Sequence, residues 1–192
     1  MAEVLKGNAV VSQSGGPTAV INASLVGVIE SAQANPNIDK IFGAVHAVAG
    51  MKADNFVDLT DIDAQTLEIV ATSPSSALGS SRDKPDTDYV KAIVEVLKAR
   101  NIRYFYYIGG NDSANTCKIV NEEAQKLGYE LRAFHVPKTI DNDLRTTDHC
   151  PGYGSAANFV ARALQGDDLD NRALPGVKIA VSYTHLTLPT KA

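Results

Sequence analysis

Three strand-like runs in this chain end in glycine- or aspartate-rich turns, at 14–18, 109–113 and 137–143, and helical patterns lie between them. The first run, Asn8 to Ser12, gives way to Ser14-Gly15-Gly16-Pro17-Thr18, with Pro17 near the first position of a helix over 19–34. Val20, Leu25, Val28, Ile29 and Ala32 recur there at mostly helical spacing. Ile38 to Val48 reads as a second strand with its following loop, and Asp86 to Arg100 as a helix with Val90, Ile93, Val94 and Leu97 on one stripe. The β-rich run Ile102 to Ile108 stops at Gly109-Gly110, and Ser113 to Leu127 is helical up to Gly128. Glu130 to Val136 predicts a strand, Gly152 to Gln165 a helix and Val177 to Val181 a further strand. Strands alternating with helices imply a mostly parallel sheet covered on both faces, an α/β domain layered α-β-α. Ligands in such sheets sit beyond the carboxyl ends of the strands, so the three turns are expected to converge on one edge.

The 192 residues suffice for one domain with a buried core, and 44% hydrophobic with 21% charged residues is ordinary for a globular protein. A net charge of -4 argues against general nucleic-acid binding, which shows a basic surface. It leaves room for an anionic substrate, because a few placed cations or Mg²⁺ set a local potential. No apolar run approaches a membrane span, and Met1 to Asn8 lacks the pattern of a secretion signal. Cys117 and Cys150 lack metal-site spacing and read as reduced thiols of a cytoplasmic protein.

Chemistry concentrates in Pro137-Lys138-Thr139-Ile140-Asp141-Asn142-Asp143-Leu144. A carboxylate able to take a proton, a second to organise charge and a cation to hold an anion suit phosphoryl transfer. Asp and Asn also favour ordinary turns through local hydrogen bonds. Ser14-Gly15-Gly16 lets backbone N–H groups approach an anion at a helix start, or closes a tight turn without ligand; it is neither a full Walker loop nor G-x-G-x-x-G. In Gly109-Gly110-Asn111-Asp112-Ser113, Asn111 and Asp112 can offer oxygens to hydrated Mg²⁺ and Ser113 can bond a phosphate, while the same residues serve equally as a helix N-cap. Leu78-Gly79-Ser80-Ser81-Arg82 sets an arginine, suited to bidentate phosphate contacts, after a turn of small residues; Lys84 is a weaker candidate, and both could be solvated surface cations.

Taken in order, S-G-G-P-T-A-V-I-N at 14–22, L-G-S-S-R at 78–82, G-G-N-D-S at 109–113, P-K-T-I-D-N-D at 137–143 and P-G-Y-G-S-A at 151–156 resemble the phosphofructokinase family, in particular its pyrophosphate-dependent branch. The likeness spans about Gly7 to Val181. It implies that Asp141 accepts the 1-hydroxyl proton of fructose 6-phosphate, that Asp143 is a second catalytic carboxylate, and that Thr139 with Ile140 helps position the sugar. It places Gly15, Gly16, Ser113, Arg82 and Lys138 on pyrophosphate, with Mg²⁺ as cofactor. Members using ATP typically carry G-G-D-G-S and P-G-T-I-D-N-D; Asp112 and Lys138 stand here instead. A fixed carboxylate where a nucleotide's α-phosphate would lie repels ATP, and a lysine stabilises charge on the transferring and leaving phosphates. Asn111 occupies the place of a Mg²⁺-liganding Asp in many members and would bind metal more weakly.

The resemblance also implies a continuation past Val181 into M-G-R, which binds the sugar phosphate, and then a second domain. Neither is in this sequence, so residues 1–181 are expected to form a partial, donor-binding domain with little or no transferase activity, cut from a homo-oligomeric cytoplasmic enzyme. The tail Ser182 to Ala192 resembles translated adapter sequence and reads as non-native; His185 within it is given no role. Alternative readings are an ATP-using kinase of the wider superfamily, a non-catalytic phosphate- or metabolite-binding module, and a dinucleotide-binding oxidoreductase, which lacks its glycine fingerprint.

Overall fold

The computed structural model describes residues 5–181. Strand β1 (Gly7–Gln13) is followed by helix α1 (Ile21–Gln33), β2 (Ile38–Ala44), α2 (Ala47–Lys52), β3 (Phe56–Asp58) and α3 (Ala64–Thr72). Then come α4 (Thr87–Ala99), β4 (Ile102–Gly109), α5 (Asn111–Lys126), β5 (Arg132–Pro137) and α6 (Tyr153–Arg172). The sheet order is β3-β2-β1-β4-β5, parallel throughout except for β3, which runs antiparallel to β2 at one edge. The mostly parallel α/β sheet is therefore as expected.

Helices cover both faces because successive strand residues point to opposite sides. Val10, Phe105 and Tyr107 join α4 and α5 in one apolar cluster; Val11 and Ile108 join α1 and Leu67 of α3 in the other. Helix α4 buries Val90, Ile93, Val94 and Leu97 completely, one stripe at helical spacing. Each of those side chains contributes about 1.5–3 kcal/mol of burial energy. Its start is set by Asp86, whose carboxylate accepts the N–H of Tyr89. Asp63 caps α3 in the same way through Thr66.

Several expectations shift. Pro17 lies in the turn, four residues ahead of α1, which begins at Ile21. The loop expected to follow β2 folds into α2 through a left-handed cap, His46 (φ 60°), and a left-handed first residue, Ala47 (φ 56°). Close packing fixes that corner: a Cβ on Gly50 would lie 1.8 Å from the Val45 carbonyl oxygen. Gly50→Ala is expected to lower the unfolding free energy by about 3 kcal/mol, the upper end of overpacking costs, seen as a lower denaturant midpoint at unchanged slope.

Helix α5 starts at Asn111 rather than Ser113, since the Asn111 carbonyl side chain accepts the N–H of Asp112 and Gly110 takes the capping position. Helix α6 runs on to Arg172 without a buried residue. The strand expected over Val177–Val181 is not formed: Val177, Ile179 and Val181 are 89%, 83% and 65% exposed. A strand needs a neighbour for its ladder bonds, and β5 remains the sheet edge with no such partner among the described residues. The tail at 182–192 lies outside the described residues.

Candidate active site

Strands β1, β4 and β5 are neighbours, so the turns at their carboxyl ends meet at one edge of the sheet. Ser14 continues β1 by donating its N–H to Ile108, and Lys138 continues β5 by donating its N–H to the Gly109 carbonyl (2.8 and 3.0 Å). A cleft of about 420 Å³ opens between these turns and the 81–84 segment. Gly15 and Gly16 line one wall, Arg82 and Lys84 the next, and Lys138 to Asp141 the third; Asn111, Asp112 and Ser113 close it from the first turn of α5.

Lys138 is central. It is 3% exposed, and its Nζ donates to the Gly16 carbonyl at 2.7 Å. The same nitrogen lies 3.3 Å from where a Cβ on Gly15 would stand, a tight contact, and the backbone there (φ 78°) favours glycine. Arg82 Nη2 lies 3.5 Å from the corresponding position on Gly16. Burial chiefly, and then the Arg82 charge, pull the Lys138 ammonium below its ordinary pKa, while Asp141 pushes it back up. Two cations against glycine backbone and the start of α5 create a positive pocket suited to a polyanion.

The carboxylates take different places. Asp141 lines the cleft, and its backbone N–H donates to Thr139 Oγ1 at 3.1 Å. Thr139 is buried and anchored by its own N–H to the Pro151 carbonyl, and Ile140 reaches the cleft 44% exposed. Asp112 pairs with Lys84 at 3.0 Å across the mouth, both side chains largely exposed. Asp143 does not line the cleft; its Oδ2 accepts from Asn111 Nδ2 at 3.2 Å, tying the β5 turn to α5. Ser113 does line it, but its hydroxyl donates to Ser14 Oγ at 3.0 Å.

Two supports went unseen in the sequence. His135 Nε2 lies 2.8 Å from the Gly109 carbonyl, which accepts only from an Nε2–H. Burial lowers the His135 pKa, so the ring is neutral at neutral pH, and the Gly109 turn is pinned to β5. Asn142, in the left-handed region at φ 54°, accepts the Cys150 N–H at 2.8 Å and folds the 143–150 segment back under the site. A single histidine on a strand gives no pattern signal; Asn142 sat inside the recognised motif, and Asn is a common left-handed residue. Cys117 and Cys150 are both free and buried, and burial pushes the Cys117 thiol up to about 11, far from reactivity.

Among the described residues no group of three His, Cys, Asp or Glu side chains is placed to hold a metal by itself. The cleft nevertheless offers hard oxygen donors in Asp112, Asp141 and Asn111. This set fits a Mg²⁺ that shares its coordination with substrate phosphates rather than an all-protein cage. No described helix is long and apolar enough to cross a membrane.

An α-β-α sandwich with glycine turns, paired cations and carboxylates beyond its strand ends defines an α/β protein whose cleft chemistry suits an anionic ligand. The sequence profile described as phosphofructokinase matches residues 8–173, and the chain belongs to that family. It is 56% identical over 178 residues to the pyrophosphate–fructose 6-phosphate 1-phosphotransferase of Rhodospirillum rubrum, covering 93% of this chain and 44% of that protein. The Halomonas elongata protein of the same name is 41% identical over 85% of this chain and 40% of its own length. The crystal structure of the pyrophosphate-dependent phosphofructokinase from Nitrosospira multiformis superposes with a TM-score of 0.81 at 41% identity, over 85% of this chain and 41% of that one. The chain thus spans less than half the length of these relatives.

Proposed function

We propose that residues 1–181 are the donor-binding part of a pyrophosphate-dependent 6-phosphofructokinase that phosphorylates the 1-hydroxyl of fructose 6-phosphate reversibly. The observation that carries this is the buried Lys138 ammonium on the Gly16 carbonyl beside Arg82, in one cleft with Asp112. Lys138 and Arg82 suit the closely spaced charges of a diphosphate, and the Asp112 carboxylate opposes a longer polyphosphate passing the mouth. The relatives' names point the same way.

In the forward direction the sugar's 1-hydroxyl oxygen bonds to the terminal phosphorus while the bond from that phosphorus to the bridging oxygen breaks. Orthophosphate leaves, and the hydroxyl proton passes to Asp141; in reverse Asp141 returns it. Thr139 holds the Asp141 backbone, and Ile140 offers the sugar an apolar contact. Asp143 acts through Asn111, keeping the β5 turn and α5 at a fixed separation. Lys138 and Arg82 offset charge on the departing phosphate. Gly15 and Gly16 give the donor close backbone approach, and Ser113 braces Ser14 behind it. Mg²⁺ would supply further charge neutralisation on the phosphates, with Asp112, Asp141 and the remaining Asn111 lone pair as oxygen donors. Two free buried thiols suit the reducing cytoplasm, and the longer enzyme is expected to be a homo-oligomer without nucleic-acid or membrane partners.

Calorimetric titration of this chain with Mg²⁺·pyrophosphate and with Mg²⁺·ATP tests the reading. Pyrophosphate is expected to bind at least about tenfold more tightly, roughly 1.4 kcal/mol; tighter binding of ATP would overturn it. The titration should also depend on pH. An anion needs Lys138 charged, and that charge is lost at lower pH than for an ordinary lysine. Affinity should therefore fall with rising pH, starting at lower pH than an ordinary lysine would dictate and more steeply than in Lys138→Met. Stability of the free chain has the opposite sign. The unfolded chain holds the Lys138 proton more tightly, so this residue's contribution improves as pH rises from its lowered pKa toward 10.5.

A further inference from the structure

We infer that Gln13 and Asn22 are positioning residues that hold the Arg82-bearing wall of the cleft in register with the Gly15 turn, an inference that rests on the donor-site reading above. Gln13 ends β1 and is entirely buried; Asn22 stands in the first turn of α1, 1% exposed. Both are amides where the neighbouring core is apolar. Gln13 Nε2 donates to the Ile21 carbonyl (3.1 Å) and to Asn22 Oδ1 (2.9 Å). Its Oε1 accepts from Ser76 Oγ (2.8 Å) and from the Leu78 N–H (2.9 Å), so all four of its bonding positions are filled. Asn22 Oδ1 also accepts the Ala77 N–H (2.9 Å), and its Nδ2 donates to the Ser73 carbonyl (3.0 Å). Two adjacent side chains thus bind the backbone of 73–78 at three points.

That segment runs directly into the wall. Ser80 Oγ donates to the Gly15 carbonyl, and the Gly15 N–H donates to the Ser81 carbonyl (2.6 and 3.0 Å). Arg82 follows at once. Hydrophobic packing alone would leave 73–78 free to slide, because among its residues only Leu78 is buried. Directional bonds from a rigid strand end and a helix start remove that freedom. A satisfied buried network of this kind fixes one geometry, and losing one member leaves the others unpaired in a dry environment.

The test uses the chain as it is, by amide hydrogen exchange without ligand and by pyrophosphate titration. Gln13→Met keeps side-chain length and removes the bonds. It is expected to speed exchange of the Leu78 amide and to weaken pyrophosphate binding, each about tenfold. Val94→Ala, a cavity in the core of α4 remote from the cleft, serves as a control for general destabilisation and should move neither. Ser76→Ala, which deletes one tie without opening the core, should act in the same direction with smaller size and decides the matter if Gln13→Met does not fold. Unchanged Leu78 exchange, equal changes in Val94→Ala, or faster exchange with unaltered affinity would each overturn the positioning role. If the unaltered chain binds no pyrophosphate, the donor-site reading fails, and the exchange comparison alone then decides whether the two amides hold the wall.

Discussion

Asp141→Asn in the longer enzyme is expected to reduce turnover about 10²–10⁴-fold, the usual contribution of a positioned acid–base group, while pyrophosphate binding survives. Asparagine keeps the shape of the side chain and leaves untouched the backbone bond from residue 141 to Thr139 Oγ1. What it loses is the ability to take a proton. It also removes a negative charge close enough to Lys138 to raise that ammonium's pKa, so affinity for the anionic donor should hold or improve. Steady-state rates in both directions, set beside calorimetric binding, separate the two effects. Lost binding with preserved turnover would be incompatible with Asp141 as the proton acceptor.

The second large effect belongs to donor choice. Lys138→Gly removes the buried ammonium from the Gly16 carbonyl and should cost pyrophosphate about 10²–10³-fold in kcat/KM, as for loss of one preorganised charge-stabilising donor. Asp112→Gly removes the carboxylate at the mouth and releases Lys84. The double variant should therefore use ATP at a rate the parent does not reach. If ATP affinity and turnover show no gain, Asp112 and Lys138 do not discriminate between donors, and the exclusion argument falls even though the fold stands.

The central architecture was legible because β1, β4, α4 and α5 carry strong periodicity and end in residues with distinct backbone preferences. The convergence of turns after β1, β4 and β5 followed from their being parallel neighbours. The region of residues 45–72 was not legible: α2 is one short helix entered through left-handed His46 and Ala47, β3 has three residues, and α3 buries only Leu67. Short elements of that kind are determined by what they pack on. The opposite holds at Val177–Val181, where β-rich composition suggested a strand but no neighbour among the described residues accepts its ladder. Within the site, the motifs pointed to one cluster of turns, and the arrangement of side chains inside it was not readable. That Lys138 is buried, that Ser113 turns to Ser14 and that Asp143 is held by Asn111 depend on distances between turns far apart in sequence.

The sheet order has a consequence for biosynthesis. β1 pairs with β4, Gln13 standing beside Ile108, so β1 lacks one of its two neighbours until the chain has grown through Gly109. At ribosomal speeds of about 5–20 residues per second, that delay is on the order of 5–20 s. Throughout it, Val10 and Val11 have only the β2 side of the sheet to pair with. Closure of the sheet's centre thus waits on a pairing between segments far apart in sequence, the kind of contact that forms slowly.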